Sequence, residues 1–265
     1  MRIRWLTQLL LLLYLLLISY NLVALTIGLP YHPVLTPIFT VVAFTIALLH
    51  GSQTLGWRHT LLLLALPFAV SLLFESVCVA TGWVYGAYHY TDKLGPKFLG
   101  LVPLLIPLGW FMMTYPSYVI ASHLVSPFRR VWVWRVAVAA VGALVMTAWD
   151  LAMDPMMVGG GHWVWDQPGG YFGIPLQNYW GWWLTTFVTF GLFLWLVRRH
   201  AEPASSTDPF TRLATWSYAI TGLSSILVDF IFHLDGPALV GLFAMLPWVV
   251  VGIKNEPRTN ADERR

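Results

Sequence analysis

The chain has 265 residues, of which 58% are apolar and only 10% charged, with a formal net charge of +3. That balance excludes an ordinary soluble domain, whose surface would carry far more charge, and makes a lipid bilayer the expected solvent. The single cysteine, Cys78, excludes an intramolecular disulfide, and no nucleic-acid partner is expected.

Eight apolar runs are long enough to cross about 30 Å of hydrocarbon: residues 5–28, 34–50, 60–80, 99–122, 131–153, 179–197, 212–232 and 236–252. Their continuity, as in LLLLLYLLLISYNLVALTIG, predicts helices rather than the alternating strands of a membrane barrel. The first run follows Arg2 and Arg4 and has the look of a signal peptide, but its length and the lack of a small-x-small cleavage site favour a retained span. With the N-terminus cytoplasmic, 13 of the 15 basic residues fall inside and only Lys93 and Lys97 outside, the asymmetry that orients membrane proteins. The expected fold is therefore an all-α polytopic bundle of about eight helices with both termini cytoplasmic. It forms a single domain over residues 1–252, followed by a disordered polar tail over 253–265.

Along the chain, polar residues interrupt the runs at particular places. Glu75 stands in LPFAVSLLFESVCVA, about one turn before the outer end of the third run. A carboxyl there is costly unless it faces the bundle interior and finds partners, so it is a candidate functional group. The loop 81–98 follows, with Trp83, Tyr85, Tyr88 and Tyr90 among glycines and a proline. Pro103 and Pro107 open the fourth run and predict a kink or break there, with a short re-entrant piece before the span. Asp150 and Asp154 end the fifth run four residues apart, which on a helix puts both on one face. The loop 154–178 brings His162, Trp163, Trp165, Tyr171, Phe172 and Asn178, with Trp182 just beyond. These two loops are expected to fold back as a lid over a pocket, although an interfacial aromatic belt accounts for part of the tryptophan content. Asp229 interrupts the seventh run, and His233 lies four residues on, again one helical face. Both spaced pairs suit a divalent cation, yet no pattern completes a metal set, and no metal is assigned.

The strings FESVCVATGWVYGAYHYTDKLGPKFLGLVPLLIPLGWFMMTYPSY, WDLAMDPMMVGGGHWVWDQPGGYFGIPLQNYWGWW and VDFIFH resemble the carotenoid biosynthesis membrane proteins of the carotenoid 1′,2′-hydratase type, also called the bisanhydrobacterioruberin hydratase family. The resemblance runs over about 75–183 and rests on G-x-Y-x-Y, L-G-P, P-L-x-I-P, D-x-x-M-D-P and G-Y-F-G-I-P in that order. It implies addition of water across the terminal double bond of an acyclic ψ end group, giving a tertiary alcohol without a redox cofactor. The expected substrate is a lycopene-like or γ-carotene-like polyene, in a multi-pass protein of the plasma membrane, with other enzymes of the carotenoid pathway as candidate partners.

Such a hydration needs a carboxylic acid able to protonate carbon, a wall that stabilises a tertiary cation, and a base that activates one water. Asp150 or Asp229 is the expected proton donor and Asp154 or His233 the residue that positions water, with Glu75 a rival for either part. Substrate-binding candidates are Trp83, Tyr85, Tyr88, His162, Trp163, Trp165, Tyr171, Asn178 and Trp182, whose aromatic faces stabilise a cation without trapping it. Two readings from other classes stay open. One is a Mg²⁺-dependent prenyl or acyl transferase acting on a polyisoprenoid; the other is a carotenoid-binding or transport protein with Glu75 and Asp229 as relay groups.

Overall fold

Among the described residues, eight long helices form where the eight apolar runs lie, because a span in lipid must satisfy its backbone internally. The computed structural model describes residues 2–30, 32, 34–125, 128–197 and 208–254; the expected tail, from residue 255 on, lies outside them. The helices are α1 (Arg2–Thr26), α2 (Leu35–Thr54), α3 (Trp57–Thr81), α4 (Leu105–Leu124), α5 (Val131–Gly159), α6 (Leu176–Leu196), α7 (Arg212–Ile231) and α8 (Asp235–Lys254). Four short strands lie between them: β1 (Tyr88–Tyr90), β2 (Lys97–Phe98), β3 (Val102–Pro103) and β4 (Trp163–Trp165).

Six of the helices are long and apolar enough to cross a membrane. The other two, α4 and α6, carry Thr114, Tyr115 and Ser117, and Asn178, Thr185, Thr186 and Thr189, all buried against neighbouring helices rather than lipid. The centre of the bundle is α4, packed on α2, α3, α5, α7 and α8, beside α5, packed on α4, α6, α7 and α8. Small residues let helices approach closely. A side chain at Gly181 of α6 would run into the Tyr85 ring and come within 2.7 Å of the Val84 carbonyl, and one at Gly252 of α8 would meet Thr215 at 2.8 Å.

The Gly252 contact sets the end of α8 beside the start of α7. Arg4 Nη1 of α1 donates to Asp208 Oδ2 at 2.6 Å, just ahead of α7, with the guanidinium 4.8 Å above the Phe210 ring. Asp208 is held below the usual carboxylate range first by the Phe210 backbone N–H and then by Arg4. The beginning of α1 and the end of α8 therefore share one end of the bundle, as the charge pattern required.

The start of the fourth run departs from expectation. Residues 99–104 are not helical: β2 and β3 pair antiparallel, Lys97 opposite Pro103 and Phe98 opposite Val102. Pro103 therefore stands in a two-residue strand. Pro107 lies in the first turn of α4, where a missing N–H removes no helical bond. Residues 97–104 thus form a short β-hairpin where a helical re-entrant piece was expected. At the other end of the expected spans, α5 runs past residue 153 to Gly159, so Asp150 and Asp154 stay on one helical face.

Candidate active site

Glu75 sits in the penultimate turn of α3, which Gly82 closes in a left-handed conformation at φ 73° with its N–H on the Cys78 carbonyl at 2.6 Å. The chain then returns over the helix ends as β1, whose alternation buries Tyr88 and Tyr90 and exposes His89. The loop after α5 does the same as β4, burying Trp163 and Trp165 and exposing Val164. The two loops join as an antiparallel ribbon, Tyr88 opposite Trp165 and Tyr90 opposite Trp163. The expected lid is thus a β-ribbon with one aromatic face turned to the bundle. It is tied down by Thr91 N–H on the His162 carbonyl at 3.0 Å and by Lys93 Nζ on the Gly160 carbonyl at 2.6 Å.

Beneath this roof lies a cavity of about 170 Å³. Its polar pole holds two carboxyls from different helices, Glu75 of α3 and Asp154 of α5. Tyr88 and Tyr90 both donate to Glu75 Oε2, Tyr90 at 3.0 Å. Burial first and Glu75 second push the phenols of Tyr85, Tyr88 and Tyr90 up, so all three stay protonated. Asp154 Oδ1 accepts from Trp163 Nε1 at 2.6 Å, and its Oδ2 accepts from Asn178 Nδ2 at 2.7 Å. The same Asn178 nitrogen donates to Asp150 Oδ2 at 3.1 Å.

The rest of the wall is largely apolar and aromatic, with one hydroxyl-bearing side. Trp110 of α4 stacks on Trp182 of α6 with centroids 4.2 Å apart, and Trp149 of α5 crosses Trp182 at 6.0 Å. Met112, Met153, Met156 and Met157 supply a pliable lining, and Tyr14, Thr221, Ser224 and Ser225 form a hydroxyl-bearing wall from α1 and α7. None of the described lining residues is Lys, Arg or His. Nor, among the described residues, do three His, Cys, Asp or Glu side chains converge as a metal donor set.

Of the candidates read from the sequence, the cavity gathers Glu75, Asp154, Tyr85, Tyr88, Trp163, Trp165, Asn178 and Trp182. Asp150 is fully buried behind it, joined through Asn178. Asp229 is also fully buried but does not line it. His162 is half-buried at the foot of the roof, where burial holds it below the usual histidine range and Lys93 adds to that. Tyr171 donates to the Leu151 carbonyl at 2.8 Å, outside the cavity. Trp83 is 74% exposed. His233 does not share a face with Asp229: α7 ends at Ile231, and His233 turns outward with φ 61°. The i, i+4 argument fails there because the helix stops before the second residue. The lining residues Trp110, Trp149 and the methionines had not stood out from the sequence, since an apolar residue in an apolar helix carries no mark of the face it turns.

No solved structure matches the chain. Among curated proteins, the bisanhydrobacterioruberin hydratase of Haloarcula japonica is 37% identical over 119 residues, covering 45% of this chain and 39% of that protein. The chain thus aligns with well under half the length of that relative. The carotenoid biosynthesis protein family matches residues 32–247, from ahead of α2 into α8 and across every element that builds the cavity and its roof apart from α1. On that span the chain belongs to the carotenoid biosynthesis protein family.

Proposed function

We propose that the chain is a carotenoid hydratase of the plasma membrane, adding water to the terminal double bond of an acyclic end group on a lycopene-like or γ-carotene-like polyene. The observation that carries this reading is the pairing of Glu75 and Asp154 in a cavity that also presents indoles, phenols, methionines and a hydroxyl-bearing wall. With no cationic residue among the described lining, the carboxyls are its strongest Brønsted acids. A diphosphate donor, as the transferase reading requires, would find no lysine, arginine or histidine among the described lining residues.

The donor sets divide the two carboxyls by role. Asp154 is held by two N–H groups, which only donate and so match an ionised carboxylate. Glu75 is held by hydroxyls, which accept as readily as they donate and so accommodate a carboxyl that carries its proton. Glu75 gives that proton to the less substituted alkene carbon. The O–H bond breaks, a C–H bond forms, and a tertiary cation is left facing Trp110, Trp149 and Trp182, whose ring faces stabilise it without bonding to it. Water attacks the cation, and Asp154 takes the proton that the new C–O bond releases. A polyene is about as long as the hydrocarbon core is thick, so its end group reaches the outer helix ends where this site lies.

The reading is tested by expressing the chain in cells that accumulate lycopene and weighing the extracted pigment. A gain of one water per end group supports the hydratase. A larger added group indicates a transferase, and an unchanged pigment a binding or transport protein.

A further inference from the structure

The hydroxyl-bearing side of the cavity is a connected group. Tyr14 of α1 and Thr221 of α7 meet with their oxygens 3.0 Å apart, and Ser225 lies one turn on, its hydroxyl on the Thr221 carbonyl at 3.4 Å. All three are buried and all three line the cavity. Their hydrogens can be accounted for. The Thr221 hydroxyl gives its hydrogen to the Ser217 carbonyl at 2.8 Å, so the hydrogen shared between the two side-chain oxygens comes from Tyr14. Ser225 spends its hydrogen on the Thr221 carbonyl and accepts from Trp149 Nε1 at 3.4 Å. Every hydroxyl hydrogen of the group is thus committed to the protein, and what remains to face the cavity is lone pairs. Trp149 ties the group to the aromatic wall, since the indole whose N–H rests on Ser225 also crosses Trp182 at 6.0 Å.

Acceptors without a free donor select their ligand. A buried water makes about three hydrogen bonds and needs a donor to its oxygen as well as acceptors for its hydrogens. An alcohol has one hydrogen to give, and its carbon skeleton suits the Ile18, Met112 and Trp149 surfaces in the same cavity. A ketone would set one acceptor against another. We propose that Tyr14, Thr221 and Ser225 form a subsite that binds the hydroxyl of an alcohol-bearing polyene end, so that the cavity holds the alcohol more tightly than the parent hydrocarbon. That the alcohol is the tertiary one made by hydration rests on the hydratase reading. On that reading the carbon that takes the oxygen is the one left facing Trp149, and the new hydroxyl donates to oxygens at the edge of the same indole. The equilibrium on the protein then shifts toward the alcohol by the factor that separates the two affinities.

The test measures the affinity of the full chain, in lipid vesicles, for lycopene and for the alcohol formed by adding one water to one of its ends. A Glu75→Gln background keeps either polyene from being converted. In that background the alcohol should bind about fivefold more tightly than lycopene, the worth of one hydrogen bond. Adding Tyr14→Phe and Thr221→Val together removes two of the three oxygens, keeps the shape of the wall, and should bring the two affinities level. Thr221→Val alone removes the acceptor of the Tyr14 hydrogen, so the phenol becomes a donor, and affinity for a polyene ending in a methyl ketone should rise about fivefold. A purely structural role gives no such rise. Should the double variant fail to fold, Ser225→Ala, which removes a single oxygen, decides in its place by lowering the preference about twofold. Equal affinities for the two polyenes before any change to the wall overturn the subsite and leave its oxygens to water. A preference that survives the double variant overturns it too, as does a loss shared equally by both polyenes. Wild type that adds no water to lycopene overturns the hydratase reading alone, because the preference is measured without turnover.

Discussion

At the scale of single residues, the division between Glu75 and Asp154 makes a sharp prediction. Glu75→Gln keeps the shape and the phenol bonds but cannot protonate carbon, so hydration should fall by about 10²-fold or more, the usual loss for a general acid. Asp154→Asn should cost as much, whereas Tyr88→Phe, which only loosens Glu75, should cost roughly tenfold. Product analysis at saturating polyene checks the order. Equal rates in Glu75→Gln and wild type would remove Glu75 from the chemistry. These carboxyls were legible in the sequence because a charge inside an apolar run is conspicuous. Their ranking was not. Asp150 and Asp154 look alike on one helical face, and only the placement of Asn178 and Trp163 puts Asp154 in the cavity and Asp150 behind it. His233 misled for a related reason, since sequence spacing does not report where a helix ends.

At the scale of elements, the roof is where local pattern and tertiary role coincide. Y-H-Y and W-V-W each alternate with period two, the mark of a strand with one buried face. The brevity of the strands, three residues each, and their distance in the chain hid the pairing. Lys97 Nζ clamps this ribbon, donating to the Tyr90 carbonyl at 2.8 Å and to Asp92 Oδ1 at 2.9 Å. Lys97→Met should therefore raise KM for the polyene several-fold and leave the unfolding temperature little changed, since exposed ion pairs add little to stability. The hydrogen bond from Lys97 first, and its charge second, hold the Asp92 carboxyl below the usual range. A group depressed in the folded protein contributes above its unfolded value and loses that contribution as pH falls through its folded one. The tie to Asp92 is thus complete at neutral pH and weakens below about pH 4, where the KM difference between Lys97→Met and wild type should narrow. A difference that widened in acid would place the clamp elsewhere.

For the whole molecule, the bundle was readable from two independent signals, the length of the apolar runs and the sorting of basic residues to one side. The arrangement of helices around the cavity was not, because lipid is as apolar as a helix interface and both faces of a span draw on the same residues. The helices that fall short in hydropathy, α4 and α6, both shelter polar side chains inside the bundle, which lowers their apolar character without exposing those groups to lipid. Orientation follows from the same charges and can be tested directly. The one native thiol, Cys78, is fully buried and should be silent toward an impermeant maleimide. His89→Cys would place a thiol on the exposed side of the roof, and Arg58→Cys one at the opposite end of α3. In intact cells His89→Cys should label and Arg58→Cys should not, while after permeabilisation both should. Labelling of Arg58→Cys alone in intact cells would invert the molecule, moving the roof and the acid pole to the cytoplasmic side.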